Sequence, residues 1–483
     1  MNKKMLLRMT GKISQIIALI LLLPAIVAVI YGEGEQLFCF LVTAVGSFAA
    51  GTLIILFVRT ENRVIYAKEG FAITALAWII LAAVGALPFV ISGEIHSYID
   101  ALFETVSGFT TTGASILVNV EAMSKSMLFW RSFTHWIGGM GVLVFIMAVV
   151  PNFTDRSMHI MRAEVPGPVK GKLVSKTKDT AKILYMIYIG LTLLEMILLL
   201  AGGMSRFDSI VHSFATAGTG GFGIKADSVA SYSPYCQWVI AIFMFLFGVN
   251  FNLYYLILLR KVKTALKSSE LWCYVSIVAV SVICITANIM PIYKNFSLSL
   301  RNSFFQVTSI VSTTGFATAD FNLWPNLSKT ILLLLMFSGA CAGSTAGGLK
   351  ISRLVMLFKS VSKQVKKMIH PRSVGRIHFE GKAVDEETLN SASTYFVVYM
   401  ICLLTAFLLI SFEPFGFETN FSAVVSCFNN IGPGFGAVGP ASNFSAYTDF
   451  SKLVLTFAML FGRLEIFPLI IFISPSTWIN KKR

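Results

Sequence analysis

Ser312-Thr313-Thr314-Gly315-Phe316 is a short, polar, glycine-containing stretch within a strongly hydrophobic sequence. Similar stretches recur at three other places, each after a short apolar segment and between two longer apolar runs. They are Thr110-Thr111-Thr112-Gly113-Ala114, Gly218-Thr219-Gly220-Gly221-Phe222 and Ile431-Gly432-Pro433-Gly434-Phe435. A motif repeated in equivalent positions predicts a fold built from internal repeats.

The composition is that of a membrane protein. Hydrophobic residues make up 55% of the 483 residues and charged residues only 13%, and apolar runs of about 20 residues each match one bilayer crossing. The net charge of +15 collects in loops on one side, which is typical of the positive-inside rule and not of a nucleic-acid-binding protein. The seven Cys residues are scattered, so we predict neither a disulfide framework nor a zinc site.

The order of the apolar runs predicts an all-α polytopic fold with ten transmembrane helices. Two runs, 13–31 and 36–58, form an N-terminal hairpin. Four units follow, each with a span, a short helix, a polar loop and a second span. All four begin and end on the basic side, so they are parallel repeats around a pseudo-four-fold axis, with both termini cytoplasmic. The expected boundaries are 1–68 for the hairpin, 69–180, 181–268, 269–387 (with a gating loop and a cytoplasmic linker) and 388–483.

The four polar loops have the composition of an ion pore. Non-helical backbone at membrane depth is tolerated where it lines a cavity, and its carbonyls can replace the water shell of an ion. None of the four stretches contains a carboxylate, which favours a monovalent cation. Two alternatives remain open from the residues alone. One is that the stretches are simple Gly-Thr loops, and the other is that the chain is a secondary transporter with broken helices.

The four units resemble the Trk/Ktr/HKT superfamily of potassium transporters. The resemblance covers nearly the whole chain and is closest to the bacterial Trk-type membrane subunits. Its specific motifs are Trp130-Arg131-Ser132, 136–141 (WIGGMG) and 462–467 (GRLEIF). It implies a homodimer in the bacterial inner membrane, with one pore in each protomer, and no enzymatic activity.

The resemblance also implies the residues of a filter that binds the transported K⁺, with no organic cofactor on this chain. The family's filter glycines correspond to Gly113, Gly221, Gly315 and Gly434. Sodium-conducting plant relatives have serine at the first position, so Gly113 matches the potassium-selective pattern. The predicted filter residues are Thr111, Thr112, Gly113, Gly220, Gly221, Thr313, Thr314, Gly315, Ile431, Gly432 and Gly434.

The second span of the third unit is interrupted by a run of small residues, 338–348, which is poor helix material. We expect a non-helical loop that obstructs the pore beneath the filter, as the matching segment does in the family; close helix packing through small residues is the alternative. Arg463 is expected to contact the carbonyls of this loop, unless it forms a structural ion pair. The predicted gate residues are Gly343, Ser344, Thr345, Ala346, Gly347, Gly348, Lys350 and Arg463.

Other polar residues within spans are expected to be structural: Arg131 and His135, which lie one turn apart, Glu195 and His212. The predicted function is passive potassium uptake, and the resemblance implies that a TrkA-like cytosolic ring that binds nucleotides controls it. The basic stretch from Lys363 to Arg376 is a candidate docking surface for that ring, or alternatively contacts lipid headgroups. A sodium- or proton-coupled potassium symporter is the alternative function. A membrane-embedded lipid enzyme would need clustered acids or histidines, which are missing from the sequence.

Overall fold

The structure is a computed structural model that describes residues 2–58, 67–141, 177–372 and 375–478. Helices make up most of these residues and strands almost none, which confirms the predicted all-α class. One small hairpin, β1 (His378–Phe379) and β2 (Lys382–Ala383), is the only β-structure within the described ranges. The helices are α1 (Lys3–Ile20), α2 (Leu22–Tyr31), α3 (Gly34–Phe57), α4 (Ala67–Gly85), α5 (Leu87–Ile91), α6 (Tyr98–Phe109), α7 (Lys125–Gly139), α8 (Thr177–Ala201), α9 (Arg206–Gly218), α10 (Pro234–Phe247), α11 (Phe251–Leu258), α12 (Val262–Ala265), α13 (Ser269–Tyr293), α14 (Phe296–Val311), α15 (Asn326–Ser338), α16 (Ile351–Ile369), α17 (Glu386–Ile410), α18 (Phe417–Asn429), α19 (Asp449–Arg463), α20 (Phe467–Ile473) and α21 (Pro475–Trp478). Two 3₁₀ turns, Phe321–Leu323 and Gly436–Val438, lie in the connecting loops.

The chain is a membrane protein. Six helical stretches in the described residues are long and apolar enough to cross a bilayer, and a bent pair raises that number to seven. Their outward faces carry large exposed apolar side chains such as Phe38, Ile197 and Leu408, as a lipid-facing surface requires. The predicted total of ten spans stays a prediction.

Each of the four units contains a long helix, a short helix and a second helix in the same order. The short helices α6, α9, α14 and α18 form the centre of the molecule and are buried along most of their length. Each second helix packs against the short helix of the next unit: α7 on α9, α10 on α14, α15 on α18, and α19 back on α6. The last contact closes the four units into a ring.

The second helices are interrupted in more units than the sequence predicted. We expected a break only in the third unit, where α15 ends at Ser338 and α16 begins at Ile351. The second unit also breaks, because α10 and α11 meet at an angle of 92° after Gly248. The fourth breaks between α19 and α20, where Glu465 and Ile466 have positive φ angles of 54° and 63°. The helices therefore break within the spans predicted at 237–259 and 453–473, which the sequence did not indicate. The end of the first unit's predicted span, at 142–150, lies outside the described residues.

Candidate functional site: a ring of four loops

All four short helices end in the same backbone conformation. The first or second residue after each helix has a left-handed backbone conformation. Its φ is 56° at Thr111, 55° at Thr219, 57° at Thr313 and 56° at Asn430. The next N–H then reaches back to the helix. These hydrogen bonds run from Thr112 N to Ser107 O, Gly220 N to Ala215 O and Thr314 N to Ser309 O, each 2.8 Å, and from Ile431 N to Ser426 O, 3.0 Å. This is a Schellman-type helix end, where glycine is the usual left-handed residue.

Three of these four left-handed residues are threonines. A β-branched side chain at positive φ is strained, and such strain persists only where the surrounding structure enforces it, often at functional sites. The repeated occurrence of the same strained conformation therefore marks the four loops as a candidate site.

A glycine stands two positions after each left-handed residue, and these four glycines form a closed ring. They also have positive φ: 78° at Gly113, 75° at Gly221, 86° at Gly315 and 102° at Gly432. A Cβ on each would overlap a carbonyl oxygen of the neighbouring loop. The pairs are Gly113 with Gly220 O, Gly221 with Thr314 O, Gly315 with Ile431 O, and Gly432 with Thr112 O. Since the fourth pair returns to the first loop, the backbones approach each other around a complete circle.

The ring corrects the sequence-based assignment in the fourth loop. The resemblance placed the family's filter glycine of this loop at Gly434, with Gly432 also among the predicted filter residues, and it is Gly432 that occupies the ring position. Gly434 lies two residues further on, its φ is not positive, and a Cβ on it would meet Ser422 and Val438 instead of a neighbouring loop. The error came from aligning Gly434-Phe435 with Gly315-Phe316. Asn430 and Thr219, which sequence reasoning missed, are the left-handed equivalents of Thr313, and counting two residues back from each ring glycine would have found them.

The predicted gate segment lies against the residues that precede the ring. Residues 339–350 contain no helix in the described structure and are mostly buried. Gly347 N donates to Thr313 Oγ1 at 2.7 Å, and a Cβ on Gly347 would meet the carbonyl oxygen of Asn429. Phe251 N donates to Gly343 O, 3.1 Å, on the opposite side of the segment. The segment, here called the intramembrane loop, is therefore fitted between the ring and the break of the second unit.

Arg463, the last residue of α19, donates to three backbone carbonyls. Its Nη1 donates to Thr345 O at 2.8 Å, and its Nη2 donates to Gly138 O at 2.6 Å and Gly139 O at 2.7 Å. One guanidinium therefore joins the intramembrane loop to the end of α7. Five donors in a rigid fork allow arginine to hold several carbonyls at once.

Two further cations lie at the end of this loop and in the helix that follows it. Lys350 is 1% exposed, and its Nζ donates to Ala346 O within the loop. Arg353, in the first turn of α16, pairs with Glu465 at the break between α19 and α20. The Glu465 carboxylate therefore links the break in the fourth unit to the start of α16.

The chain matches the family model "TrkH: Cation transport protein" over residues 38–482. The chain belongs to the TrkH family. It is 35% identical to the Trk system potassium uptake protein TrkH of Escherichia coli K12, with 99% of this chain and 100% of the relative covered. It is 33% identical to the Trk system potassium uptake protein TrkG of the same organism, over 97% of both. The crystal structure of the potassium transporter TrkH from Vibrio parahaemolyticus superimposes with a TM-score of 0.89 at 30% identity, over 99% of this chain and 100% of that one.

Membership of the TrkH family makes the chain part of a transporter family and not an enzyme.

Beyond the ring, the loops line a cavity of about 140 Å³ that all four ring glycines reach. Lys225, which follows the second loop, and Arg131, from α7, also line it. Since the intramembrane loop contacts residues before the ring and the cavity is lined by residues after it, the ring separates the two.

A buried ion pair braces the first two loops of this TrkH-family ring. Arg131 and Glu104 are 2.7 Å apart, with their side chains 2% and 1% exposed. Glu104 accepts from Ser115 Oγ and Ile116 N, both at 3.0 Å, while Arg131 Nη1 donates to Gly223 O at 3.3 Å. The pair thus holds the residues that follow Gly113 and Gly221. Arg131 thus pairs with Glu104 of the first short helix and also lines the cavity.

Two buried histidines and one buried glutamate lie behind the loops. His135 Nδ1 lies 2.7 Å from Gly108 O, and its Nε2 accepts from Phe222 N at 3.3 Å, so it joins the first short helix to the second loop. His212 Nδ1 lies 2.8 Å from Asp208 O, and its ring stacks on Phe316. Glu195, in α8, is fully buried. The two histidines therefore contact the second and third loops.

Glu104→Ala is expected to lower the free energy of unfolding by about 3–5 kcal/mol, because it leaves the Arg131 guanidinium buried without its carboxylate. Thermal unfolding of the purified protein in detergent measures the loss. Glu418→Ala is the matched control: its pair with Lys329 is 3.7 Å long and Glu418 is 61% exposed, so a change below about 1 kcal/mol is expected. Equal losses in the two variants would contradict a bracing role for Glu104.

Proposed function

We propose that this chain is the ion-translocating membrane subunit of a bacterial Trk-type potassium uptake system. Potassium moves passively through the ring, and the intramembrane loop controls the passage. The closed ring of Gly113, Gly221, Gly315 and Gly432 carries this proposal. The named relatives are potassium transporters, and four converging loops from one chain supply the site that such transport needs.

The proposed filter consists of backbone carbonyls around the ring. In each loop, left-handed residues alternate with a residue of ordinary φ, which lets successive carbonyls face the same side of the chain and therefore the axis. The four short helices end at the ring with their C-terminal, negative ends, which favours a cation there. Pairs of hydroxyls fix two of the loops, Thr110 with Thr112 at 2.8 Å and Ser312 with Thr314 at 2.7 Å.

The proposed gate is the intramembrane loop with Lys350 and Arg463. The loop lies under Thr313 and Asn430, where an ion that leaves the ring must pass. The Arg463 guanidinium adds a positive charge at that point, which is an electrostatic barrier to a cation. Opening requires the loop to release Thr313, and the glycines at 343 and 348, both with positive φ, offer torsions that other residues rarely adopt.

We infer that the units 69–180, 181–268, 269–387 and 388–483 are the four pore repeats, preceded by the hairpin 1–68. The protein lies in the inner membrane with both termini cytoplasmic, because its basic loops fall on one side. It forms a homodimer, and a TrkA-like nucleotide-binding ring is its cytosolic partner. The exposed face of α16 supports a docking surface there, since it combines Phe358 (72% exposed) and Met368 (80% exposed) with basic residues; anionic lipid headgroups are the other candidate.

Passive transport is sufficient for accumulation. One positive charge that moves inward gains about 2.3 kcal/mol per 100 mV, which corresponds to about a 50-fold concentration ratio. A sodium- or proton-coupled symporter on the same scaffold is the alternative. It requires a titratable group or a second ion site on the path, and the four ring glycines and their flanking loop residues contribute no carboxylate.

Rubidium flux into liposomes that contain the purified protein is expected without an imposed proton or sodium gradient. The electrical driving force alone moves the ion through a passive pore. Tracer uptake is measured at zero gradient and at an inward proton or sodium gradient, with equal membrane potential. Uptake that occurs only with one of the gradients would favour the symporter. Empty liposomes and the variant Gly315→Val, in which the ring cannot close, are the controls.

A further inference from the structure

The two ends of the intramembrane loop converge on one buried carboxylate. Glu270 lies in the first turn of α13 and is 4% exposed. Its Oε1 accepts from Ala342 N at 2.7 Å and from Ser352 N at 3.2 Å. Ala342 precedes the part of the loop that lies under the ring, and Ser352 follows it. A single side chain therefore clamps the entrance and the exit of the loop through two hydrogen bonds to one carboxylate oxygen.

A second carboxylate fixes the helix end that carries Glu270. Glu380 Oε1 accepts from Glu270 N at 2.9 Å, from Ser268 Oγ at 3.0 Å and from Ser269 Oγ at 3.1 Å. These groups form the N-terminus of α13, where a negative charge is favourable. Glu380 is 110 residues away along the chain from Glu270, so a distant segment caps this helix.

Glu380 lies at the tip of the β1–β2 hairpin. The strands pair His378 with Ala383 and Phe379 with Lys382, which leaves a two-residue turn. Both turn residues have positive φ, 52° at Glu380 and 72° at Gly381, as a type I′ turn requires. The hairpin therefore holds the Glu380 side chain at a defined position beside α13.

The hairpin is also attached to α16, the helix that continues directly from the intramembrane loop. Lys359 Nζ donates to His378 O at 2.8 Å. Ile377, next to β1, packs with Met356 of α16 and Leu389 of α17 in a small apolar cluster separate from the main core. The hairpin, α16, the start of α13 and both ends of the loop are thus connected by direct contacts.

We propose that Glu380 and Glu270 are positioning residues of the gate, which hold the intramembrane loop in its obstructing position and transmit a displacement of the β1–β2 hairpin to it. This inference rests on the gating function proposed above for the loop. A partner that moves the hairpin or α16 loosens the cap on α13, and Glu270 then releases Ala342 and Ser352. The hairpin becomes the point at which the gate is controlled from outside the membrane.

The test measures rubidium flux into liposomes with purified full-length variants and no partner protein. Glu270→Ala is expected to raise flux on the order of tenfold and Glu380→Ala on the order of threefold, since the first removes two hydrogen bonds to the loop itself and the second acts through α13. Glu270→Gln and Glu380→Gln keep an acceptor oxygen and are expected to restore flux to within about twofold of the parent.

Asp385→Ala is the matched control, because Asp385 caps α17 by accepting from Thr388 N at 3.2 Å and does not contact the loop. It is expected to leave flux unchanged. Parent-like flux in Glu270→Ala and Glu380→Ala, together with raised flux in Arg463→Ala, would overturn this relay from the hairpin to the loop, while the loop itself would remain a gate. Parent-like flux in all three would overturn the gate and the relay together. Equal increases in the alanine and glutamine variants, with lowered unfolding temperatures, would also overturn the proposal, since that pattern indicates general destabilisation.

Discussion

Gly113→Ser is expected to raise sodium permeation relative to potassium by about tenfold, which corresponds to about 1.4 kcal/mol of lost discrimination. A Cβ at this position would overlap the carbonyl oxygen of Gly220, and the φ of 78° strains any side chain. The Gly220 carbonyl must therefore move, and the ring loses its regular geometry at one of four positions. Paired tracer fluxes of rubidium and sodium into liposomes measure the ratio.

Gly190→Ser is the matched control, because Gly190 lies in α8 and a Cβ added there meets no atom within 4 Å. Its flux ratio should equal that of the parent. The same assay decides the register of the fourth loop. Gly432→Ser should change the ratio about as much as Gly113→Ser, whereas Gly434→Ser should change it less. A larger effect at Gly434 would contradict the ring described above.

Arg463→Ala is expected to raise rubidium flux at least tenfold in the absence of any partner. The substitution removes the hydrogen bonds to Thr345, Gly138 and Gly139 and the positive charge below the ring. Hydrogen bonds to a charged group contribute about 1.5–3 kcal/mol each, so loss of the Thr345 contact alone shifts a closed loop toward release. Tracer uptake with the purified protein measures the change, and shortening the loop within 343–347 should act in the same direction.

Two conservative variants separate the charge of Arg463 from its hydrogen bonds. A lysine side chain cannot donate in a fork, so Arg463→Lys keeps the barrier and loosens the loop. Arg463→Gln keeps amide donors and removes the charge. Arg8→Ala, which removes one arginine-to-carbonyl contact with Val58 in the N-terminal hairpin, should have no effect. If Arg463→Ala behaved like Arg8→Ala, the residue would be a structural support and not part of a gate.

The long helices could be predicted from the sequence because their apolar runs are long enough to cross a bilayer. The short helices could be predicted because their apolar segments are too short to cross a bilayer. The breaks in the second and fourth units could not be predicted in the same way, since apolar residues continue on both sides of Gly248 and of Glu465. Hydropathy averages over a window and does not register a change of direction that depends on two or three backbone torsions.

The composition of the candidate site could be predicted from the repeated Gly-Thr stretches, but its connections could not. Asn430 is not a threonine, so the repeated motif does not identify it. Only the left-handed conformation that it shares with Thr111, Thr219 and Thr313 shows that it is equivalent to them. The Glu104–Arg131 pair joins residues 27 apart, and Glu270 meets Ser352 across 82 residues. Such contacts follow from the way the four units close on one another, which a single sequence does not specify.

All four loops of the ring belong to one chain, so a separate codon specifies each ring glycine. In a pore assembled from four identical subunits, any substitution appears four times and its energetic effect is multiplied accordingly. Here Gly113, Gly221, Gly315 and Gly432 can change independently, and the first, second, third and fourth loops already differ in sequence. Evolution and protein engineering can therefore adjust this ring in small asymmetric steps, each of which leaves three of its four glycines in place.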